Sequence, residues 1–154
     1  MRLILLVALL FGGCAHKASV TKPSLIIFKS KQFRYADSGF VRRSGGGVVV
    51  EIYNAAQPLL RLRLFKRVCM EDRCMSYEQF NRHFLSPFYP PRLIQEVFLA
   101  RPIFAGENLT KKNGGFVQKI ENEHLDIIYQ IQDGTIYFKD RKNHILIKIK
   151  ELDG

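Results

Sequence analysis

The stretch LLRLRLFKR, residues 59–67, places Leu60, Leu62 and Leu64 on one side of the chain and Arg61, Arg63 and Phe65 on the other. Successive side chains of an extended backbone point to opposite faces, so this alternation predicts a β-strand with one buried and one wet face. The same period returns near the other end, where Ile145, Ile147 and Ile149 alternate with Leu146, Lys148 and Lys150. Upstream, residues 25–28 (LIIF), Phe33 with Tyr35, and residues 48–53 (VVVEIY) read as strands, with Ser44-Gly45-Gly46-Gly47 as a turn. Downstream, strands are expected over residues 115–120, 125–131, 135–139 and 144–150, separated by turn residues such as Gln132-Asp133-Gly134.

Between these runs the period lengthens. Ser76 followed by Gln79 is a capping box, which opens a helix carrying Tyr77, Phe80, Phe84 and Phe88 on one face. Pro87, Pro90 and Pro91 break it. A second helix starts at Pro91, carries Leu93, Ile94, Val97 and Phe98 on its apolar side, and ends before Pro102. Residues 106–114, rich in Gly, Asn and Lys, read as a loop. The expected fold is α+β: an antiparallel, strongly curved sheet with two central helices covering one apolar face. The pattern leaves open whether the sheet curls into an unclosed β-barrel.

The N-terminus bears on the compartment. Met1-Arg2 supplies a positive start, residues 3–11 (LILLVALLF) are an unbroken apolar run, and Gly12-Gly13 supply small residues. This is the order of a secretory signal, and the run is about half the ~20 residues that span a bilayer. Cys14 follows directly, and the segment resembles the bacterial lipobox, with Phe11 where Leu is usual. That resemblance implies cleavage after residue 13 and acylation of Cys14; an ordinary signal peptide with a chance cysteine is the alternative. Ala15, rather than Asp, after the cysteine implies sorting to the outer membrane, facing the periplasm. The expected organisation is a signal peptide over residues 1–13, an acylated tether over 14–23, and a single domain over 24–154.

Charge is unevenly spread. Residues 14–67 carry eleven Lys and Arg against two acids, Asp37 and Glu51, whereas residues 68–154 carry twelve of each. Nucleic acid is the usual first partner for such a chain, but an exported lipoprotein does not meet it. Anionic phospholipid head groups and acidic cell-wall polymers are the available partners, and each Lys or Arg near an anionic surface contributes about 1 kcal/mol. A basic solvated face is the alternative.

With Cys14 acylated, Cys69 and Cys74 remain. An even pair in an oxidising compartment reads as a disulfide, here clamping a hairpin tip across Met70-Glu71-Asp72-Arg73. Closing so short a loop stabilises by about 2 kcal/mol, so its use is to fix the loop's shape. No His adjoins the pair to make a zinc site, and the spacing is not Cys-x-x-Cys.

Catalytic patterns are sparse. His16, His83, His124 and His144 are scattered, and none forms a His-x-x-x-His pair. Glu121, Glu123, His124 and Asp126 gather in one turn and could bind a divalent ion, though an exposed acidic turn explains them equally well. Neither a metal nor a cofactor is expected, and the chain does not read as an enzyme. What remains is apolar supply on a one-faced sheet. Leu60, Leu62 and Leu64 on the sheet, with Leu93, Val97 and Phe98 on the second helix, are candidates to line a lipid cavity; ordinary core filling is the alternative.

The segment YPPRLI (residues 89–94) through FLARPIF (98–104) resembles part of the outer-membrane lipoprotein receptor LolB, where a helix with a Pro-x-x-Leu start runs into a short Gly-x-Pro end. GFVQ (115–118), IIY (127–129) and residues 145–150 resemble that family's closing meander. The likeness covers residues 45–150; this chain departs from the family in having no Trp and in carrying Ala100-Arg101-Pro102 where the family has Gly-x-Pro. LolB and its soluble carrier relative LolA share an unclosed β-barrel with helices as a lid over an apolar cavity for acyl chains. The resemblance implies an outer-membrane-anchored, periplasm-facing lipoprotein that takes lipid or an acylated protein, with acylated lipoproteins or a periplasmic carrier as partners. It also implies a protruding apolar loop, for which the Cys69–Cys74 tip with Met70 and Met75 is the nearest match. A non-catalytic lipoprotein scaffolding an envelope complex is the other reading.

Overall fold

The alternation of residues 59–67 becomes the strand Gln57–Leu64, in which Leu60, Leu62 and Leu64 are buried and Arg61 and Arg63 exposed. The computed structural model describes residues 20–153. The expected signal peptide, residues 1–13, and Cys14 lie outside the described residues. Residues 20–23, which the sequence reading places in the tether, form the start of the first strand.

In chain order the elements are β1 (Val20–Lys29), β2 (Arg34–Ser44), β3 (Gly47–Asn54), β4 (Gln57–Leu64), β5 (Val68–Met70), β6 (Arg73–Met75), α1 (Tyr77–Phe84), α2 (Leu93–Phe98), a 3-10 turn at Phe104–Gly106, β7 (Leu109–Lys112), β8 (Gly115–Glu121), β9 (Asp126–Gln132), β10 (Thr135–Asp140) and β11 (Ile145–Glu151). All eleven strands join one antiparallel sheet in the order β6-β5-β4-β3-β2-β1-β11-β10-β9-β8-β7. Ten neighbour pairs hold it, nine of them between strands consecutive in sequence; β1 with β11 is the exception.

This overturns the expected α+β fold with two central helices as a covering layer. Strands take 55% of the described residues and helices 13%, so these residues form essentially one unclosed antiparallel sheet with two short helices set against it. The physical reason lies in the segment 77–102. Its prolines and a left-handed Ala100 (φ 57°) confine α1 to eight residues and α2 to six, too short to be stable without packing. Residues 106–114 are also not simply a loop. Leu109–Lys112 pairs with β8 across the two-residue connection Asn113-Gly114, an Asn-Gly hairpin signal.

Other expectations agree with the structure. The capping box is present, with Ser76 Oγ accepting from the Gln79 amide at 3.1 Å and Gln79 Oε1 accepting from the Ser76 amide at 3.1 Å. The four closing strands fall within about a residue of their expected bounds. The Cys69–Cys74 disulfide is formed between directly opposed residues of β5 and β6.

The core fills the face that carries the helices. Ile26 and Phe28 of β1, Val48, Val50 and Ile52 of β3, and Ile145, Ile147 and Ile149 of β11 are buried there against α1 and α2. Phe33 joins the layers: its ring lies 4.6 Å from Phe28 and stacks on Phe84 of α1 at 5.2 Å. In the middle of β2, Gly39 is required by close approach, since a Cβ there would lie 2.0 Å from the Glu51 carbonyl oxygen.

Two hairpins turn through residues with positive φ at both central positions. At Asp133-Gly134 (φ 47° and 74°) the chemistry suits the turn; at Ala55-Ala56 (φ 45° and 65°) it does not. Replacing Ala55 by Asn and Ala56 by Gly should therefore stabilise the domain by about 1 kcal/mol and raise its thermal midpoint by about 3–5 °C. An unchanged midpoint in a calorimetric scan would show that this turn is not strained.

Candidate functional site

Strand alternation delivers Leu60, Leu62 and Leu64 of β4 to the helix-covered face, while the i, i+4, i+5 spacing of Leu93, Val97 and Phe98 turns one side of α2 down onto it. The structure brings all six candidates into one core, each no more than 3% exposed. Phe98 meets Phe28 edge-on at 5.9 Å. Leu93 also borders an open cavity of about 340 Å3 with Pro90, Glu96, Pro102, Ile103 and Phe104, at the outer flank of α2.

Met70 and Met75, the candidates for a protruding loop, are instead half-buried and pack against the core. The projecting end of their hairpin is Glu71 and Asp72, both exposed. Two acids at the tip are unsuited to enter a bilayer. The disulfide behind them fixes this short outer ribbon.

The helices are held by polar side chains that reach in from the sheet. Arg43 at the end of β2 donates from Nε to the Phe98 carbonyl at 2.8 Å and from Nη1 to Glu151 at 2.8 Å, and Lys22 donates to the same carboxylate at 2.6 Å. Burial alone would raise the Glu151 carboxyl, but the hydrogen bonds and charges of Lys22 and Arg43 hold it below the usual carboxylate range. From α2, Gln95 donates to the Leu64 carbonyl at 3.0 Å and accepts from Arg92 at 2.9 Å. At the base of α1, Tyr77 donates to the Phe65 carbonyl at 2.6 Å, and burial pushes its hydroxyl up to about 12.

Two further clamps flank α2. Tyr89, before it, donates to the fully buried Asp140 of β10 at 2.7 Å, and burial with the adjacent carboxylate raises the tyrosine hydroxyl far above its ordinary value. Gln118 of β8, also fully buried, accepts from the Ile103 amide at 2.8 Å and donates to its carbonyl at 2.9 Å. Sequence reasoning gave no role to Arg43, Gln95, Gln118, Asp140 or Glu151, although a signal existed for four of them. Arg43, Gln118, Asp140 and Glu151 each stand at a position where the period of two calls for an apolar residue.

Three buried side-chain polar atoms stay unmatched among the described residues, Asn81 Oδ1 being one of them. Arg43 Nη2 and the Tyr129 hydroxyl are the others. Burial raises the Tyr129 hydroxyl far above its ordinary value, the charge of Glu96 adding to the rise and that of Arg43 opposing it.

Elsewhere the chemistry is spoken for. In the acidic turn, Asp126 is gripped by Arg141 through two bonds of 2.7 and 2.8 Å, and His124 stacks on Phe88. No group of three His, Cys, Asp or Glu side chains placed to hold a metal occurs among the described residues. No described helix is long and apolar enough to cross a membrane. No protein-family model matches the chain, and no curated protein matches it significantly.

Because the folded Glu151 titrates below its unfolded value, its contribution is present above the ordinary carboxylate range and lost as pH falls through the lowered value. Glu151→Gln should cost about 1 kcal/mol at neutral pH and flatten the fall in stability between roughly pH 5 and 3. Urea melts across that window measure it; parallel curves for the two proteins would remove Glu151 from the helix latch.

Proposed function

We propose that the chain is a non-enzymatic envelope lipoprotein, anchored to the periplasmic face of the outer membrane at Cys14, that accepts an acyl chain of a lipid or lipoprotein beneath α2, as LolB does. The observation that carries this reading is the cover itself. The six-residue α2 lies on part of the apolar face of an unclosed eleven-stranded sheet, held by its buried Leu93, Ile94, Val97 and Phe98 and by side-chain hydrogen bonds from Arg43 and Gln95. The resemblance of residues 89–104 and of the closing strands to the LolB family supports it. So does the open cavity of about 340 Å3 beside Leu93 at the flank of α2, a size within the range that binds small ligands. No covalent step is needed: an acyl chain moves toward the environment that shields it better, at about 0.8 kcal/mol per buried CH2.

One observation favours the second reading, a lipoprotein that scaffolds an envelope complex. Leu60, Leu62, Leu64, Val97 and Phe98 are packed against neighbours and almost wholly buried, so an acyl chain enters only where α2 gives way. The two readings separate on Leu62→Phe and Val97→Phe. If the interior opens for cargo, the variants lose at least about tenfold in affinity for a fluorescent fatty acid or an acylated peptide, beyond a stability cost of about 1–3 kcal/mol from overpacking. Wild-type protein that binds neither probe leaves the scaffold reading.

A further inference from the structure

The face of the sheet turned away from the helices is not uniformly polar. Leu25 of β1, Phe40 of β2, Leu59 of β4 and Leu152 after β11 are 38–49% exposed. The registers set most of these together: Pro23 lies opposite Phe40, Leu25 opposite Ser38, Ser38 opposite Tyr53, and the Leu152 amide bonds to the Pro23 carbonyl. Phe40 and Tyr53 meet edge-on at 6.1 Å, and between them, Pro23, Ala56 and Leu152 an open cavity of about 390 Å3 sinks into the surface. A contiguous exposed apolar patch of this kind marks an interaction site.

Basic side chains surround it. Lys150 lies opposite Leu25, and Lys148 is two residues before it on the same exposed face. Arg42, Arg61 and Arg63 extend the rim across β2 and β4. The acid of β3 on this face, Glu51, is already taken by Arg42 at 3.6 Å and Arg61 at 3.0 Å.

We infer that this outer face of β1–β4 and β11 rests on an anionic phospholipid surface, with Leu25, Phe40 and Leu152 in the head-group boundary and the basic rim on the lipid phosphates. Two observations choose that occupant. The rim's charge complements anionic head groups and repels a second copy of the same face. The chain also leads there: Val20 is six steps along the chain from Cys14, a span of at most ~21 Å when extended. Val20 in turn is five residues from Leu25 on the same strand, or about 17 Å. An acyl group on Cys14 thus holds the membrane within reach of this face, and an apolar patch with basic neighbours adds the second attachment that a lipid anchor benefits from. The inference rests on the anchor proposed above, not on the cargo site.

The chain contains no Trp, so Phe40→Trp introduces a single fluorophore into the patch, and Leu25→Trp gives a second placement should the first disturb folding. Phe88→Trp reports from the other end of the strands, where Phe88 stacks on His124. The acylated full chain is reconstituted into vesicles of brominated phosphatidylethanolamine and phosphatidylglycerol, or of brominated phosphatidylcholine, and floated. Expected are flotation with both, a blue shift and loss of most emission for Phe40→Trp and Leu25→Trp in the anionic vesicles alone, and unchanged emission for Phe88→Trp. Lys148→Glu with Lys150→Glu should restore the emission. Protein that does not float overturns the anchor and this inference with it, whereas floating protein without quenching overturns the docking face alone. Equal quenching in phosphatidylcholine, or a blue shift in detergent that grows with protein concentration, also overturns it, the latter in favour of a second copy.

Discussion

The pairing of β1 with β11 joins residues 24–29 to residues 146–151 and turns two runs of hairpins into a single sheet. The other nine strand pairs connect neighbours in sequence and close short loops; this one closes nearly the whole chain, an entropic cost that grows only slowly with loop length. The pairing is offset by burial at the seam, where Ile26, Phe28, Ile147 and Ile149 are all inaccessible to solvent. Non-local pairing of this kind is slow to form. It also decides what faces what. Arg43 and Lys22 reach Glu151 only across the seam, and the outer patch contains Leu25, Phe40 and Leu152 together only because the first and last strands lie side by side.

Strands with strict alternation were legible. Residues 60–64 and 145–149 announce their buried face, and the turns at 121–123, 132–134 and 140–143 carry residues that suit them. Ser76 and Gln79 likewise declare a helix start. The segment that misled is 76–102, where helical periodicity is real but proline cuts it into pieces too short to form a layer. In β2 the sheet-inward positions hold Tyr35, Asp37, Gly39, Val41 and Arg43, so the apolar alternation that would expose an eleven-residue strand is absent. The long strand forms because both its edges are paired, a tertiary effect invisible in local pattern.

The six apolar residues chosen from the sequence do converge, and they do so as packed core. What pattern reading passed over is the polar set that makes the cover of this core conditional. Arg43, Gln95, Tyr89 and Gln118 hold the segment from α1 to β7 through side-chain bonds, while the strands beneath are held by continuous backbone ladders. Each such side-chain bond contributes only about 1 kcal/mol net. Leu93, Ile94, Val97 and Phe98 also hold α2, all of them buried, yet six residues give up far less area than the sheet, so stability divides between a helix that opens locally and a sheet that opens only globally.

That division is the central claim, and amide hydrogen exchange on the intact domain tests it directly. The amides of Glu96, Leu99 and Ala100, which close the turns of α2, should exchange well before those of Ile26 and Ile147 in the β1–β11 seam, and an acylated peptide should change the exchange of α2 while leaving the seam as it was. Amides of α2 that exchange only with the seam, and that are indifferent to the peptide, would contradict the account.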